Sequence, residues 1–409
     1  MALRYALGQM MKAPADQPVA GLLRGVVDCV DRAHLEARLK SGKSLRIKFG
    51  VDPSAPDIHL GHTVPMRLLR RWQEHGHLPV LIIGDYTARI GDPTGRSATR
   101  PQLSPEQVDL HAQTYLDQLF RVVDKGRVEV RHQSEWFSSF QLDQVLRLAR
   151  TTTVAQLLQR SDFDQRMRGE QPIGVHELFY PLLQGYDSVA VEADVELGGT
   201  DQLFNLLRGR EVQQAYGMPP QDIVTVPLLV GLDGQRKMSK SLGNAVAVAD
   251  PPGQQFGQLM SIPDHLILSY LELLTDANDA ELAAWRDGLA DGSVHPRRLK
   301  AEMAARVVAQ FHGERSARDA SLEFDAVFRD RKLPTAIPEV EVSSDPVDLR
   351  ELLVRTGLAG SRSEAARLVS QGGVRLDDTV ISSWSEPLST REGMVLRVGK
   401  RRVVRLRVH

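Results

Sequence analysis

The segment "GQRKMSKSLG", residues 234–243, sets Lys237 and Lys240 three positions apart among small residues, directly after the apolar run "VTVPLLVGLD". Two ammonium groups on so short a support suit a polyanionic partner, whether nucleic acid, a membrane surface or a phosphorylated small molecule. A second constellation, "VDPSAPDIHLGH", passes through two prolines and brings His59 and His62 into the first turn of a helix. Three residues apart, both rings share one helical face, beside the free N–H groups and the positive dipole end. Imidazoles placed there can donate to phosphate oxygens, and Gly61 lets another group approach the backbone closely.

Composition narrows the partners. The chain has 409 residues, enough for two or three domains, with 25% charged residues and a formal net charge of −1. That balance excludes a basic nucleic-acid coat as the character of the whole chain. No apolar stretch approaches the roughly 18 residues that a membrane span needs, and the first twenty residues lack a secretory core. Cys29 is the only cysteine, which excludes an internal disulfide and fits a reducing cytosol, so a cytoplasmic location is expected. The twelve histidines include no HExxH-type pair, and no structural metal is expected.

The elements that must carry these groups read as α/β over residues 1–230. "LRIKFGVD" (45–52) and "LPVLIIGDY" (78–86) are short apolar runs, and Leu60, Val64, Leu68, Leu69 and Trp72 form a helical stripe between them. Strand, helix, strand is the signature of a parallel sheet. Further strands are expected at 188–197 and 222–230, with a helix between them. Residues 105–187 read as a mostly helical insertion over one sheet edge. Residues 231–333 hold the lysine loop and then helices, and the proline-bearing stretch 334–345 reads as a semi-extended linker. The tail, 346–409, carries 12 Lys+Arg against 7 Asp+Glu, net +5, which leaves 39 against 45 in the rest. It is a separate electrostatic object.

"HLGH" at 59–62 followed by "KMSKS" at 237–241 resembles the two signature motifs of class I aminoacyl-tRNA synthetases. The intervening "GDPTGR", "YPLLQGYDS" and "GGTDQ" are similar to bacterial tyrosyl-tRNA synthetases in particular. The likeness runs from about residue 30 to the C-terminus. It implies a Rossmann-like catalytic domain, a helical anticodon-side domain and a small α+β RNA-binding domain. It also implies activation of tyrosine by ATP and transfer to tRNA(Tyr), by a homodimer, with Mg²⁺ arriving on the nucleotide. No general base is needed, because the attacking carboxylate is already ionised at pH 7; alignment and charge stabilisation on the phosphates are.

The same resemblance assigns roles. His59, His62, Lys237 and Lys240 would hold the phosphates at the transition state. Gly50, Asp52, Gly61, Gly198, Gly199, Asp201, Met238 and Ser239 would contact the nucleotide, Asp201 at a ribose hydroxyl. Tyr180, Gln184 and Asp187 fall at i, i+4 and i+7, so on a helix they share a face. By the family pattern Asp187 meets the phenol hydroxyl, Tyr180 and Gln184 the amino group, and Thr87, Asp92 and Gln202 the rest of the amino acid. One departure is Lys48, where many bacterial members carry a tyrosine; it either pairs with Asp187 or points away while its stem packs.

The tail resembles the RNA-binding module of small-subunit ribosomal protein S-four. Ser361 and Glu364 read as a capping box. Arg362, Arg367, Arg375, Lys400, Arg401 and Arg402 would meet tRNA phosphates, with affinity that falls as salt rises. Two other readings stand beside this one. The tryptophan enzyme shares the fold and signatures, and Asp187 with the attached RNA module argues against it. A catalytically idle RNA-binding protein on the same scaffold is countered by the intact His59, His62, Lys237 and Lys240.

Overall fold

The computed structural model describes residues 19–53, 57–91, 104–328, 337–343, 345–377, 379–399 and 402–408. Asp92, Lys400 and Arg401 lie outside them. Two compact units divide the chain, residues 1–314 and 315–409. The division follows Gly313, whose φ of 83° and ψ of 159° break the helical segment Pro296–Phe328. It falls earlier than the prolines of the expected linker.

The first unit is built on a six-stranded sheet of β1 (Cys29–Val30), β2 (Arg46–Val51), β3 (Leu78–Ile83), β4 (Glu129–His132), β5 (Val195–Gly199) and β6 (Asp222–Val226). The spatial order is β1-β6-β5-β2-β3-β4, and only β1 runs antiparallel to its neighbour. Helices cover both faces, so Ile47, Lys48 and Phe49 are consecutively buried on β2, as are Ile223, Val224 and Thr225 on β6. The order in which strands are added reverses between β2 and β5, and ligands in open α/β sheets settle at the carboxyl ends of strands at such a point.

The helix Leu60–Glu74 buries the stripe Leu60, Val64, Leu68, Leu69 and Trp72. Its start is tied to the far end of the unit: Leu60 N–H donates to Val246 O at 3.0 Å and Val248 N–H to Ile58 O at 3.0 Å. The helix Val175–Ala190 lies against Leu203–Ala215, and closely, because a Cβ at Gly185 would stand 2.9 Å from Val212 Cγ2.

Two sequence expectations shift in this unit. The strand expected at 188–197 begins only at Val195, because the preceding helix runs to Ala190 and turns through Glu192 at φ 51°. Asp194 anchors that turn by accepting from Arg46 N–H at 2.8 Å. The insertion 105–187 is mostly helical as expected, and it also supplies an unexpected strand, β4, at one edge of the sheet, whose Glu129 and Arg131 pair at 3.1 Å. Charged edge strands resist further pairing, and the same charges hide them from an apolar pattern.

In the second unit, Glu339–Val342 of the expected linker is a strand, β7, parallel to β11 (Arg402–Val408). With β8 (Val374–Leu376), β9 (Thr379–Val380) and β10 (Val395–Val398) it forms a five-stranded sheet ordered β7-β11-β10-β8-β9. Helices Leu349–Arg355 and Arg362–Ser370 pack on it through Leu352, Leu353, Ala365 and Val369, all buried with Val374 and Leu396. Ser361 caps the second helix by accepting from Glu364 N–H at 3.2 Å. The reciprocal half of the box goes elsewhere: Glu364 accepts from Gly360 N–H at 2.8 Å and reaches Arg402.

Candidate active site

A cavity of about 680 Å³ opens at the carboxyl ends of β2 and β5. At one side stand His59 and His62. His59 is the N-cap residue of Leu60–Glu74, and its Nδ1 accepts from Gly61 N–H at 3.2 Å; His62 Nδ1 accepts from His59 N–H at 3.2 Å. The rings lie 4.0 Å apart, centre to centre. Because each Nδ1 is an acceptor, each neutral ring keeps its proton on Nε2, which leaves two N–H donors for the cavity. Burial, then His62 and the two signature lysines, holds His59 down to about 2, and burial holds His62 down to about 4. Both rings are neutral at physiological pH.

Opposite them runs the lysine loop. A bridge between Val230 and Lys237 narrows its neck, and Met238 N–H donates to Leu229 O at 2.7 Å. Asn244 staples the turn: its Oδ1 accepts from Ser239 N–H at 2.8 Å and its Nδ2 donates to Asp233 at 3.0 Å and Lys237 O at 3.2 Å. Gly243 closes it in the left-handed region at φ 65°. Lys237 Nζ donates to Asp201 at 2.9 Å, and Lys240 Nζ to Asp57 at 3.2 Å.

The third wall is the helix Val175–Ala190, from which Tyr180, Gln184 and Asp187 all face the cavity. Tyr180 Oη donates to Asp52 at 2.7 Å, and Thr87 Oγ1 donates to the other Asp52 oxygen at 2.7 Å. Asp187 is buried and accepts from Gln133 Nε2 at 2.8 Å and Trp136 Nε1 at 3.2 Å. Burial still outweighs these donors and pushes its carboxyl up to about 7. One void therefore joins an imidazole and ammonium end, suited to phosphates, to a carboxylate and carboxamide end, suited to a small polar substrate.

The family model for class I tRNA synthetases (W and Y) matches residues 40–329, and that for the S4 domain matches 349–395. The chain belongs to the class I tRNA synthetases of the tryptophan and tyrosine family. Among its relatives, the tyrosine–tRNA ligase of Moorella thermoacetica is 48% identical over 94% of this chain and 94% of its own length. That of Thermotoga maritima is 46% identical over 96% and 97%. Solved structures share the fold: the C-terminally truncated mitochondrial tyrosyl-tRNA synthetase of Coccidioides posadasii has a TM-score of 0.63 at 22% identity, covering 75% of this chain and 92% of that one. The Archaeoglobus fulgidus tyrosyl-tRNA synthetase complexed with L-tyrosine has 0.60 at 24%, covering 74% and 98%.

Within this synthetase, the residues singled out by sequence largely converge. Gly50, Asp52, His59, Gly61, His62, Gly198, Gly199, Asp201, Lys237, Met238 and Ser239 line the cavity, together with Thr87, Tyr180, Gln184, Asp187 and Gln202. Lys240 does not line it; its half-exposed ammonium rests on Asp57. Lys48 takes neither of its expected courses, for it is fully buried and paired with Glu196 at 2.9 Å. The reason is register: Lys48 and Glu196 face each other on neighbouring strands.

Sequence reasoning missed Gln133, Trp136, Gly84 and Glu196. Gly84 follows β3, and a Cβ there would overlap Asp52 Oδ1 and Thr87 Oγ1. Its signal was available in "IIGDY", a glycine at a strand tip. In the tail, Arg362, Arg367, Arg375 and Arg402 are all exposed. Arg362 is engaged with Glu351 at 2.5 Å, and Arg402 with Leu358 O at 2.7 Å. Among the described residues no group of three His, Cys, Asp or Glu could hold a metal, and no helix is long and apolar enough to cross a membrane.

Proposed function

We infer that this synthetase activates L-tyrosine with ATP and transfers it to the 3′-terminal adenosine of tRNA(Tyr). It is an aminoacyl-tRNA ligase of class I, as its relatives are. The observation that carries the reading is the single cavity in which the neutral His59–His62 pair and Lys237 face the helix bearing Tyr180, Gln184 and Asp187.

The tyrosine carboxylate attacks the α-phosphorus of ATP, the bond to the β-phosphate oxygen breaks, and pyrophosphate leaves. A hydroxyl of the terminal adenosine then attacks the adenylate carbonyl and AMP departs. His59 and His62 donate Nε2–H to phosphate oxygens without carrying a charge that would tighten product binding. Lys237 and Lys240 supply positive charge to the leaving pyrophosphate. Each ammonium exchanges a carboxylate partner, Asp201 or Asp57, for phosphate. Asp201, released from Lys237, is then free to accept from the ribose. Gly50 and Gly199 leave room for the nucleoside, with Met238 and Ser239 beside it. Mg²⁺ enters with the nucleotide as part of the substrate.

Tyrosine lies along the helix Val175–Ala190. Asp187 takes the phenol hydroxyl, a contact phenylalanine leaves unmade. Tyr180 and Gln184 take the ammonium, with Thr87, Asp92 and Gln202 around them. The exposed arginines of the second unit, with Lys400 and Arg401, meet tRNA phosphates. Homodimerisation is supported by Leu142, Leu146, Val154 and Val175, apolar side chains 55–72% exposed on the inserted segment. The activity is placed in the cytoplasm, where tRNA and ATP are found.

Amino-acid-dependent exchange of labelled pyrophosphate into ATP tests the reading. Tyrosine alone should drive it; exchange driven by tryptophan alone, or by neither, would overturn it.

A further inference from the structure

Lys48 and Glu196 lie behind the substrate wall and touch none of the cavity. Lys48 Nζ spends all three of its donors: on Glu196 Oε1 at 2.9 Å, on Ser188 Oγ at 2.8 Å and on the main-chain carbonyl of Gln184 at 2.7 Å. Glu196 Oε1 also accepts from the Gln184 side-chain Nε2 at 3.1 Å, and Glu196 Oε2 accepts from Gln221 Nε2 and from Ser188 Oγ at 3.3 Å. Gln184 is thus gripped twice, by its carbonyl and by its amide nitrogen. Its amide oxygen is the end left to the cavity, and an acceptor there suits an ammonium.

The same pair stands beside Asp187. The groups that face this carboxyl are Lys48 from β2, Glu196 from β5, and the donors Gln133 and Trp136 from the turn after β4. Lys48 is the positive charge in that set and favours the ionised form; Glu196 opposes it.

We propose that the buried Lys48–Glu196 pair is a positioning device for the amino-acid substrate, orienting the Gln184 carboxamide toward the ammonium. This rests on the tyrosine reading of the site. A pair kept for stability alone would be replaceable, since exchanging a buried ion pair for apolar side chains of similar volume is often neutral or stabilising. A pair kept for recognition would not be.

The experiment compares the full-length protein with the double variant Lys48→Met/Glu196→Met and with Glu196→Gln. Tyrosine and ATP KM values are read in pyrophosphate exchange, and the tyrosine KM is followed from pH 6 to 9. Unmodified protein that shows no tyrosine-dependent exchange would refute the substrate reading itself, apart from this inference. Given that activity, the double variant should melt cooperatively near the unmodified temperature and raise the tyrosine KM about tenfold or more at pH 7.5, with the ATP KM within about twofold. The pH midpoint of tyrosine binding should move upward, because the charge of Lys48 acts on Asp187 more strongly than that of Glu196 and both are gone. Glu196→Gln should raise the tyrosine KM and move that midpoint downward. A tyrosine KM and midpoint unchanged in both variants, an equal rise in both KM values, or loss of the cooperative melt in both variants would each overturn the proposal.

Discussion

The main-chain N–H of His59 is accepted by the Nδ1 of His62, so the two signature histidines are the cap of their own helix as well as the lining of the cavity. A helix N-terminus leaves four N–H groups without partners, and side-chain acceptors at the cap satisfy some of them. Here the acceptor is an imidazole nitrogen, which fixes the tautomer and places the other nitrogen as a donor. Capping and donation into the cavity are two uses of one ring orientation.

The two uses can be separated at His59. In His59→Asn the amide oxygen, a good N-cap acceptor, keeps the helix start, while the Nε2–H donor is lost. Pyrophosphate exchange should fall by about 10² to 10³, with the urea midpoint close to that of the unmodified protein. His59→Ala should show the same loss of rate and in addition about 1 kcal/mol of lost stability. Equal rates in His59→Asn and the unmodified protein would refute the donor role.

Much of this site was legible before any coordinates, for reasons that vary by residue. His59, His62, Lys237 and Lys240 stand out because the requirement they meet is local: a cap at a strand-to-helix turn, and cations on a loop of small residues. Helical period puts Tyr180, Gln184 and Asp187 on one face, and the family resemblance is what singles that face out. The pairing of Lys48 was not legible, because its partner Glu196 is chosen by the register of β2 against β5, and register is a property of the sheet. Gln133 sits in "RHQSEW", polar and without period, and acquires its meaning from Thr87 and Asp187, which arrive from other elements. The end of Val175–Ala190 was misplaced because "SVAVEADVEL" alternates like a strand while the left-handed turn at Glu192 that divides it leaves no glycine as a mark.

Acid should weaken the fold through the histidine pair. Their protonation in the folded protein is pushed down to about 4 and about 2, chiefly by burial, from an unfolded value near 6.5. Between those limits the unfolded chain binds more protons than the folded one, so stability rises with pH. The contribution is whole above about pH 6.5 and is lost progressively as pH falls toward 4. Asp187 works in the opposite sense: its carboxyl is raised to about 7, so the cost of ionising it is full above pH 7 and relieved below. Comparing the unmodified protein with His59→Asn/His62→Asn by urea denaturation at pH 7.5, 6.0 and 5.0 isolates the histidine part. The unmodified protein should lose more stability on acidification than the variant; parallel losses would refute the assignment.

Gly84 offers the sharpest steric test. It follows β3 where Asp52 and Thr87 meet, and a Cβ there would overlap both the accepting oxygen and the donating hydroxyl of their hydrogen bond. Neither is the free end of a flexible chain: Asp52 also accepts from Tyr180, and the Thr87 N–H donates to Gln133, which in turn donates to Asp187. Relief would therefore move the Asp52, Thr87 and Tyr180 side chains that line the cavity. Gly84→Ala should cost about 1 to 3 kcal/mol of stability, as overpacking a filled site does. Exchange should fall by about 10² or more, since a misplacement near 1 Å at the reacting groups is enough for that. Urea denaturation together with exchange kinetics reads both, and a variant with normal turnover would show that Asp52 and Thr87 need not stand where they do.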